Sequence, residues 1–420
     1  HWLQGELLEI GQSPSAKGKS FRHQWRQGHI VYPDDKNFDS KNNIAAATEK
    51  LLELTGDEVS LSARYLLPLH AFGYNWLASN ADSAQRLADK VEEIIDSYRA
   101  KGHKCEKVIL VTHSMGGLVA RHYSENLGGK DNILGVLHGV IPARGAATAY
   151  QRMKMGMGLF GLKGFFTNQI IGKDAEEMTV VMAQSPGPLQ LLPGTEYGTG
   201  WLKIKEQGAT HCLPVSDPYD EIYMNREEWW NLCDSNLINP EVKVPLESDW
   251  IKYSEVVEKV VNPFIEELRE KYHSNTHAFY GTGHPTYEEV VWQQQSKHEL
   301  KFVAACSAAG ADTDVLGAKQ ARTNRDNKKS IRKIRLLDSD ENTISQDMVQ
   351  TFKLVSANSS GDGTVAVRSA ELKAVHCQSQ LAVNMLEHEP AYDDKRSREY
   401  TMAAIIKIIQ AVKKTGLSYD

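Results

Sequence analysis

The chain reads as an α/β protein built on a mostly parallel sheet covered on both faces, and three observations lead there. Short apolar runs, too brief for helices, recur along the sequence. Amphipathic helical stretches separate them, and one run ends in a serine–glycine turn that opens a helix. The first 63 residues are the least readable. "QSPSAKGKSFRHQWRQG" is loop-like, and Ala45 to Gly56 reads as one helix ended by its glycine. Ala63 to Leu69, "ARYLLPL", is expected to be a strand leading into "HAFGYNW". Ser83 to Tyr98 then carries Leu87, Val91, Ile94, Ile95 and Tyr98 at helical spacing. Val108 to Val111 is suited to a buried strand. Leu118 to Asn126 is expected to be a helix stopped by Gly128 and Gly129, and Ile133 to Ile141 a further strand.

Regularity breaks after Pro142. Arg152 to Asp174 is rich in Met, Phe and Leu but interrupted by Gly156, Gly158, Gly161 and Gly164, which weaken a rigid helix. A mobile apolar lid fits that mixture, with a buried helix pair as the alternative. The stretch up to about residue 248 is loop-rich. Tyr253 to Tyr272 patterns as an amphipathic helix, and Thr276 to Tyr280 returns to strand character. Residues 317–335 hold eight Lys or Arg against one Asp, which reads as a solvated loop or, more sharply, as a contact for an anionic lipid surface. "KIRLLDSD" and "DMVQTFKLVSA" pair as a hairpin. A helix from Arg396 to Lys413 closes the chain, with Met402, Ile405, Ile406, Ile409 and Val412 on its apolar face. The resulting division is a first core part over 1–145, an inserted cap or lid over 146–272, and a second core part over 273–420 with a smaller insertion near 293–350.

Composition narrows the function classes. Of 420 residues, 41% are hydrophobic and 24% charged, ordinary for a soluble globular chain, and the net charge of −6 gives no footprint for nucleic acid. No apolar run approaches a membrane span, so any membrane contact is peripheral. No signal peptide is visible, and a chain that opens on His1 reads as trimmed. The five cysteines are scattered without zinc spacing, so free thiols are the default and a single disulfide cannot be placed. No metal and no cofactor is expected.

The chemistry gathers at "THSMGGLVAR". Thr112-His113-Ser114-Met115-Gly116 is a strand–turn–helix in five residues, the nucleophile elbow G-x-S-x-G with threonine in the first glycine place. A serine there can also be a plain helix N-cap, so the reading depends on partners. An activated serine needs a general base, and the base needs an acid to orient it. Both follow in the order the elbow requires. Asp362 lies in the glycine-flanked turn "SSGDGTV", after a strand ending near Val355. Two histidines follow it, His376 in "LKAVHCQ" and His388 in "MLEHEPAY". His388 is preferred because it leaves the C-terminal end of an apolar strand just before the last helix. Met115 N–H should donate to the oxyanion, since it follows the nucleophile and starts the helix.

At these residues the chain resembles the lecithin–cholesterol acyltransferase-like branch of the α/β-hydrolases, which includes GPI-inositol deacylases and bacterial lipases. "THSMGGLVAR", "FYGTGHPTYEEVVW", "GDGTVAVRSAEL" and a histidine before the last helix match in order, and "YNW" at Tyr74 to Trp76 is similar to that branch's Y-D-W-R. The resemblance implies an α/β-hydrolase with a large cap, and a serine lipase or phospholipase with Ser114 as nucleophile, Asp362 as orienting acid and His388 as base. An acyltransferase or small-ester hydrolase on the same triad, or a silent hydrolase-fold binding module, are the alternatives. More narrowly, "HGVIPARGAATAYQRMKMG" and the long insertions resemble lipase effectors of bacterial type VI secretion, the fourth lipase-effector family. That would imply membrane-lipid substrates, a cognate immunity protein, a secretion spike protein, and action in a target cell's periplasm. The branch's early V-P-G-x-x-G-S strand is not found before residue 60. "HAFG" at His70 to Gly73 could then supply the second oxyanion donor, with Phe72 the candidate.

Overall fold

The structure is a computed structural model and describes residues 2–10, 53–156, 175–206, 208–239, 241–242, 246–295, 331–335 and 349–418. In chain order its strands are β1 (Val108–His113), β2 (Ile133–Gly139), β3 (Leu202–Glu206), β4 (Ala209–Leu213), β5 (Thr276–Thr282), β6 (His284–Thr286), β7 (Val290–Gln294), β8 (Ile331–Arg335), β9 (Val349–Leu354), β10 (Ser359–Gly361) and β11 (Ser379–Asn384). A parallel sheet runs in the order β1-β2-β5-β11. Such a sheet needs cover on both faces. Val136 and Leu137 are successive residues of β2 and so point to opposite faces. Val136 packs with Ala84, Val91, Val119 and Ala120 from helices Asn80–Ala100 and Gly116–Asn126, whereas Leu137 packs with Tyr400, Ala403 and Ile406 of the C-terminal helix Lys395–Ile409.

A mixed sheet of order β4-β3-β7-β9-β8 forms a second body of structure. It joins β3 and β4, from before β5, to β7, β8 and β9, from after it. Its core is aromatic, with Tyr150, Trp201, Tyr223 and Trp292 fully buried. The expected hairpin of polar strands is thus the β8–β9 antiparallel pair, added to this sheet rather than to the parallel one.

Several boundaries depart from the sequence reading for identifiable reasons. Gly56 opens a helix (Gly56–Ser62) instead of ending one. Thr55 accepts a hydrogen bond from Glu58 N, and the Glu58 carboxylate accepts one from Thr55 N, a reciprocal cap that fixes the start there. The T-x-x-E spacing was the signal for it; the earlier part of the expected helix lies outside the described residues. Ala63 to Leu69 forms no strand, and Pro68 lacks the N–H a ladder needs. β2 stops at Gly139, two residues early, because Val140 turns to a left-handed φ of 48°. The helix expected at Tyr253 begins at Glu247 and ends at Leu268, widening into a π turn over Val257–Val261 just before Pro263, which lacks an N–H to donate. Most of the lid-like stretch after Gly156, and the basic run before Ile331, lie outside the described residues. Cys105, Cys212, Cys233 and Cys377 are free thiols. No described helix is long and apolar enough to cross a membrane.

Candidate active site

Ser114 leaves the end of β1 with φ 51°, a left-handed conformation unusual for a residue with a side chain. Its N–H donates to Gly139 O at 2.9 Å, tying the turn to the end of β2, where Val140 is strained in the same sense. Two strained residues on adjacent strand ends mark a place where the surrounding structure dictates the backbone. The tolerance of threonine at the first elbow position is now explained. Thr112 Oγ1 turns to the neighbouring strand, 3.0 Å from His138 Nδ1, and its carbonyl accepts a hydrogen bond from the Tyr392 hydroxyl at 2.7 Å. The glycine that is sterically needed is Gly117. A Cβ there would lie 2.4 Å from Ile141 Cδ1, while one on Gly116 would meet nothing nearer than Tyr74 Oη at 3.7 Å.

The structure brings Ser114, His388 and Asp362 together. Ser114 Oγ lies 2.8 Å from His388 Nε2, and His388 Nδ1 lies 2.8 Å from Asp362 Oδ2. With the serine hydroxyl donating to Nε2, the Nδ1 proton donates to the carboxylate. Asp362 is 3% exposed, and its other oxygen accepts from Thr364 N and Val365 N at 2.9 and 2.7 Å. Those two donors fix the direction of the buried carboxylate. His388 N donates to Asp362 O at 3.0 Å, so the acid and base loops are bonded through the backbone as well. His376, the rival base, lies elsewhere. Its ring stacks on Tyr272 and bonds Glu270, far along the chain from the elbow.

Three residues that the sequence reading passed over hold this arrangement. His113 Nε2–H donates to His388 O at 2.9 Å, with the two rings 5.3 Å apart, so the residue before the nucleophile steadies the base's loop. Burial pushes its imidazole below the usual histidine range, opposed by that same hydrogen bond. Thr286 Oγ1 accepts from Gly363 N at 2.8 Å, and β6 pairs with β10, so the "GHPT" stretch clamps the Asp362 turn. Gly281 makes the room. A Cβ there would stand 2.7 Å from Asp362 Cβ and 2.9 Å from Leu386 O, pressing on the acid and base loops together. Gly281→Ala is expected to cut turnover by about 100-fold or more, the scale of an ångström-level misplacement of a catalytic group. Steady-state kinetics beside a thermal melt check this. A variant with near-normal turnover would show that the two loops absorb the methyl group.

Met115 N–H, at the mouth of helix Gly116–Asn126, makes no hydrogen bond with any described residue and is free to receive an oxyanion. Phe72 packs beside Tyr74 with ring centroids 6.0 Å apart, in the cluster formed with helix Asn80–Ala100. Of that segment, the side chain that reaches the elbow is Tyr74, whose hydroxyl faces Gly116.

A family model described as the PGAP1-like alpha/beta domain matches residues 72–133, from "FGYNW" through the elbow to the start of β2. Among solved structures, the crystal structure of a Tle4–Tli4 complex contains a chain 27% identical to this one. The match has a TM-score of 0.65 over 85% of this chain and 72% of that chain. The chain is an α/β-hydrolase. It is an ester hydrolase of the lipase type, and the elbow lies inside the matched domain. A phospholipase PlaB from Legionella pneumophila aligns at 11% identity over 75% of this hydrolase and 84% of that chain, with a TM-score of 0.17 that bears no weight. No curated protein matches the hydrolase significantly. Ser114 follows β1 and His388 follows β11 of the parallel sheet, while Asp362 follows β10 of the small β6–β10 pair, and their order along the chain is the serine, acid, histidine order of this fold.

Proposed function

We propose that this hydrolase is a phospholipase that cleaves acyl esters of membrane lipids through Ser114, His388 and Asp362. The observation that carries the reading is the unbroken hydrogen-bonded chain from the Ser114 hydroxyl to the buried Asp362 carboxylate. Ser114 Oγ attacks the acyl carbonyl while His388 Nε2 takes its proton, and Asp362 balances the imidazolium. The tetrahedral oxyanion is received by Met115 N–H and by a second donor from the 70–74 segment, for which Phe72 N–H is the candidate. Collapse expels the lysolipid alcohol, which takes the proton back from His388. A water then repeats the sequence on the acyl-enzyme and frees the fatty acid.

The lipid substrate class is supported by the apolar 152–174 sequence and by the likeness to the Tle4 chain. We read residues 146–272 and 293–350 as cap elements over a core formed by 1–145 and the remainder of 273–420. By the same likeness we read the hydrolase as a secreted effector acting on target-cell membranes, with a partner protein corresponding to the Tli4 of that complex; inhibition by that partner and delivery on a secretion spike protein are part of the proposal. Incubation with phospholipid vesicles tests the substrate reading. Stoichiometric release of fatty acid and lysophospholipid is expected, and intact vesicles beside rapid cleavage of a water-soluble ester would overturn it.

A further inference from the structure

Arg152 lies on helix Ala147–Met155, which follows β2. Its Nη2–H donates to Thr364 Oγ1 at 3.1 Å. Thr364 is the residue whose N–H holds Asp362 Oδ1, so the guanidinium stands one side chain away from the triad acid. The charges it feels most are Glu389, directly after the base, and Asp362. It therefore sits beside the acid–base pair, on the side reached by the helix that begins the 146–272 segment.

The chemistry of the position is unusual. A guanidinium has five N–H donors and stays charged, so a desolvated one normally meets a carboxylate. Arg152 is half-buried, and lost hydration disfavours its charge, yet no described carboxylate comes within ion-pairing distance. Asp362 is not available as that partner, because its oxygens already accept from Thr364 N, Val365 N and His388. Glu389 is exposed to solvent. Among the described residues the Arg152 side chain makes one hydrogen bond, and the residue keeps part of its surface open. A guanidinium held one side chain from the triad acid, with donors left over among the described residues, suits a planar or tetrahedral oxyanion carried by the substrate.

We propose that Arg152 is a specificity-determining residue that binds the phosphate of the ester substrate, holding a phosphodiester or glycerol-phosphate oxygen pair while the acyl carbonyl lies at Ser114. This rests on the phospholipase reading above. Thr364 acts as the positioning group, spending one donor of the fork so that the remaining ones face the substrate. Recognition is of the phosphate itself, whether borne by a lipid head group or by a small soluble phosphate.

Two measurements on the full chain test this. In the first, Arg152→Gln and Arg152→Lys are compared with the parent on phosphatidylglycerol vesicles and on p-nitrophenyl butyrate, which carries no phosphate. The ratio of the two kcat/KM values is expected to fall by about 10- to 100-fold in Arg152→Gln, the scale of lost charge-assisted hydrogen bonds, with partial recovery in Arg152→Lys. A loss equal on both substrates would mean that Arg152 merely supports the Asp362 turn, and would overturn the proposal. In the second, sn-glycerol 3-phosphate is expected to inhibit p-nitrophenyl butyrate hydrolysis competitively in the parent and much less in Arg152→Gln. Equal inhibition of both, or none of the parent, would also overturn it. The two failures separate cleanly. Vesicles left intact by a parent enzyme that still shows Arg152-dependent inhibition would sink the phospholipase reading while sustaining phosphate recognition.

Discussion

Ser114→Ala is expected to abolish ester hydrolysis, with a loss of about 10,000-fold or more in kcat and no loss of fold. The size follows from the geometry. Ser114 Oγ is the atom 2.8 Å from His388 Nε2, and without it the base has only water to activate. Removing the hydroxyl also leaves the turn intact, because Ser114 N–H to Gly139 O and Gly117 N–H to Ser114 O are backbone bonds. The strained φ of 51° persists in alanine, which has the same backbone limits. A fluorophosphonate probe provides the direct check. It should label the parent once and Ser114→Ala not at all, with matching circular dichroism spectra. Labelling of the alanine variant at the parent's rate would place the nucleophile elsewhere.

The second large effect concerns the acid. Asp362→Asn should lower kcat by about 10,000-fold while the protein stays folded. An amide at this position can still accept from Thr364 N and Val365 N, so the turn survives. What changes is the face presented to His388. An amide NH₂ there favours the imidazole tautomer with its proton on Nε2, which cannot accept from Ser114, and the imidazolium loses its counter-charge. The late carboxylate Glu371 provides the control. It accepts a hydrogen bond from the Tyr280 hydroxyl at 3.1 Å and makes no contact with His388, so Glu371→Gln should keep turnover within about threefold. If Asp362→Asn turns over normally and Glu371→Gln does not, the acid has been misassigned.

Much of this site is legible in the chain as a string. The elbow can be read because a strand, a strained serine and a helix start must be consecutive, and "VILVTHSMGGLVAR" packs all three into fourteen residues. Asp362 and His388 can be read because the fold imposes their order, each following a strand and preceding a helix. Of the two candidate histidines, His388 leaves the C-terminal end of β11 and lies 2.8 Å from Ser114 Oγ, whereas His376 bonds Glu270. The Ala63 to Leu69 strand fails for a local reason, Pro68, that apolar content concealed. The helix ending at Gly56 fails because a glycine's role depends on what caps it.

What the sequence by itself determined is the fold class, and it named the candidate reacting groups, because each is signalled by neighbours a few residues away. The tertiary structure alone decided how those groups are held. His113 bonds a carbonyl 275 positions along the chain, Gly281 clears space for Asp362, and Thr286 clamps the turn that carries it. Arg152 likewise reaches Thr364 across 212 positions. Such contacts join segments whose spacing has no period, and they exist only once burial has brought the strand ends together. No local pattern encodes which methyl group will not fit, or which guanidinium will be left with donors to spare.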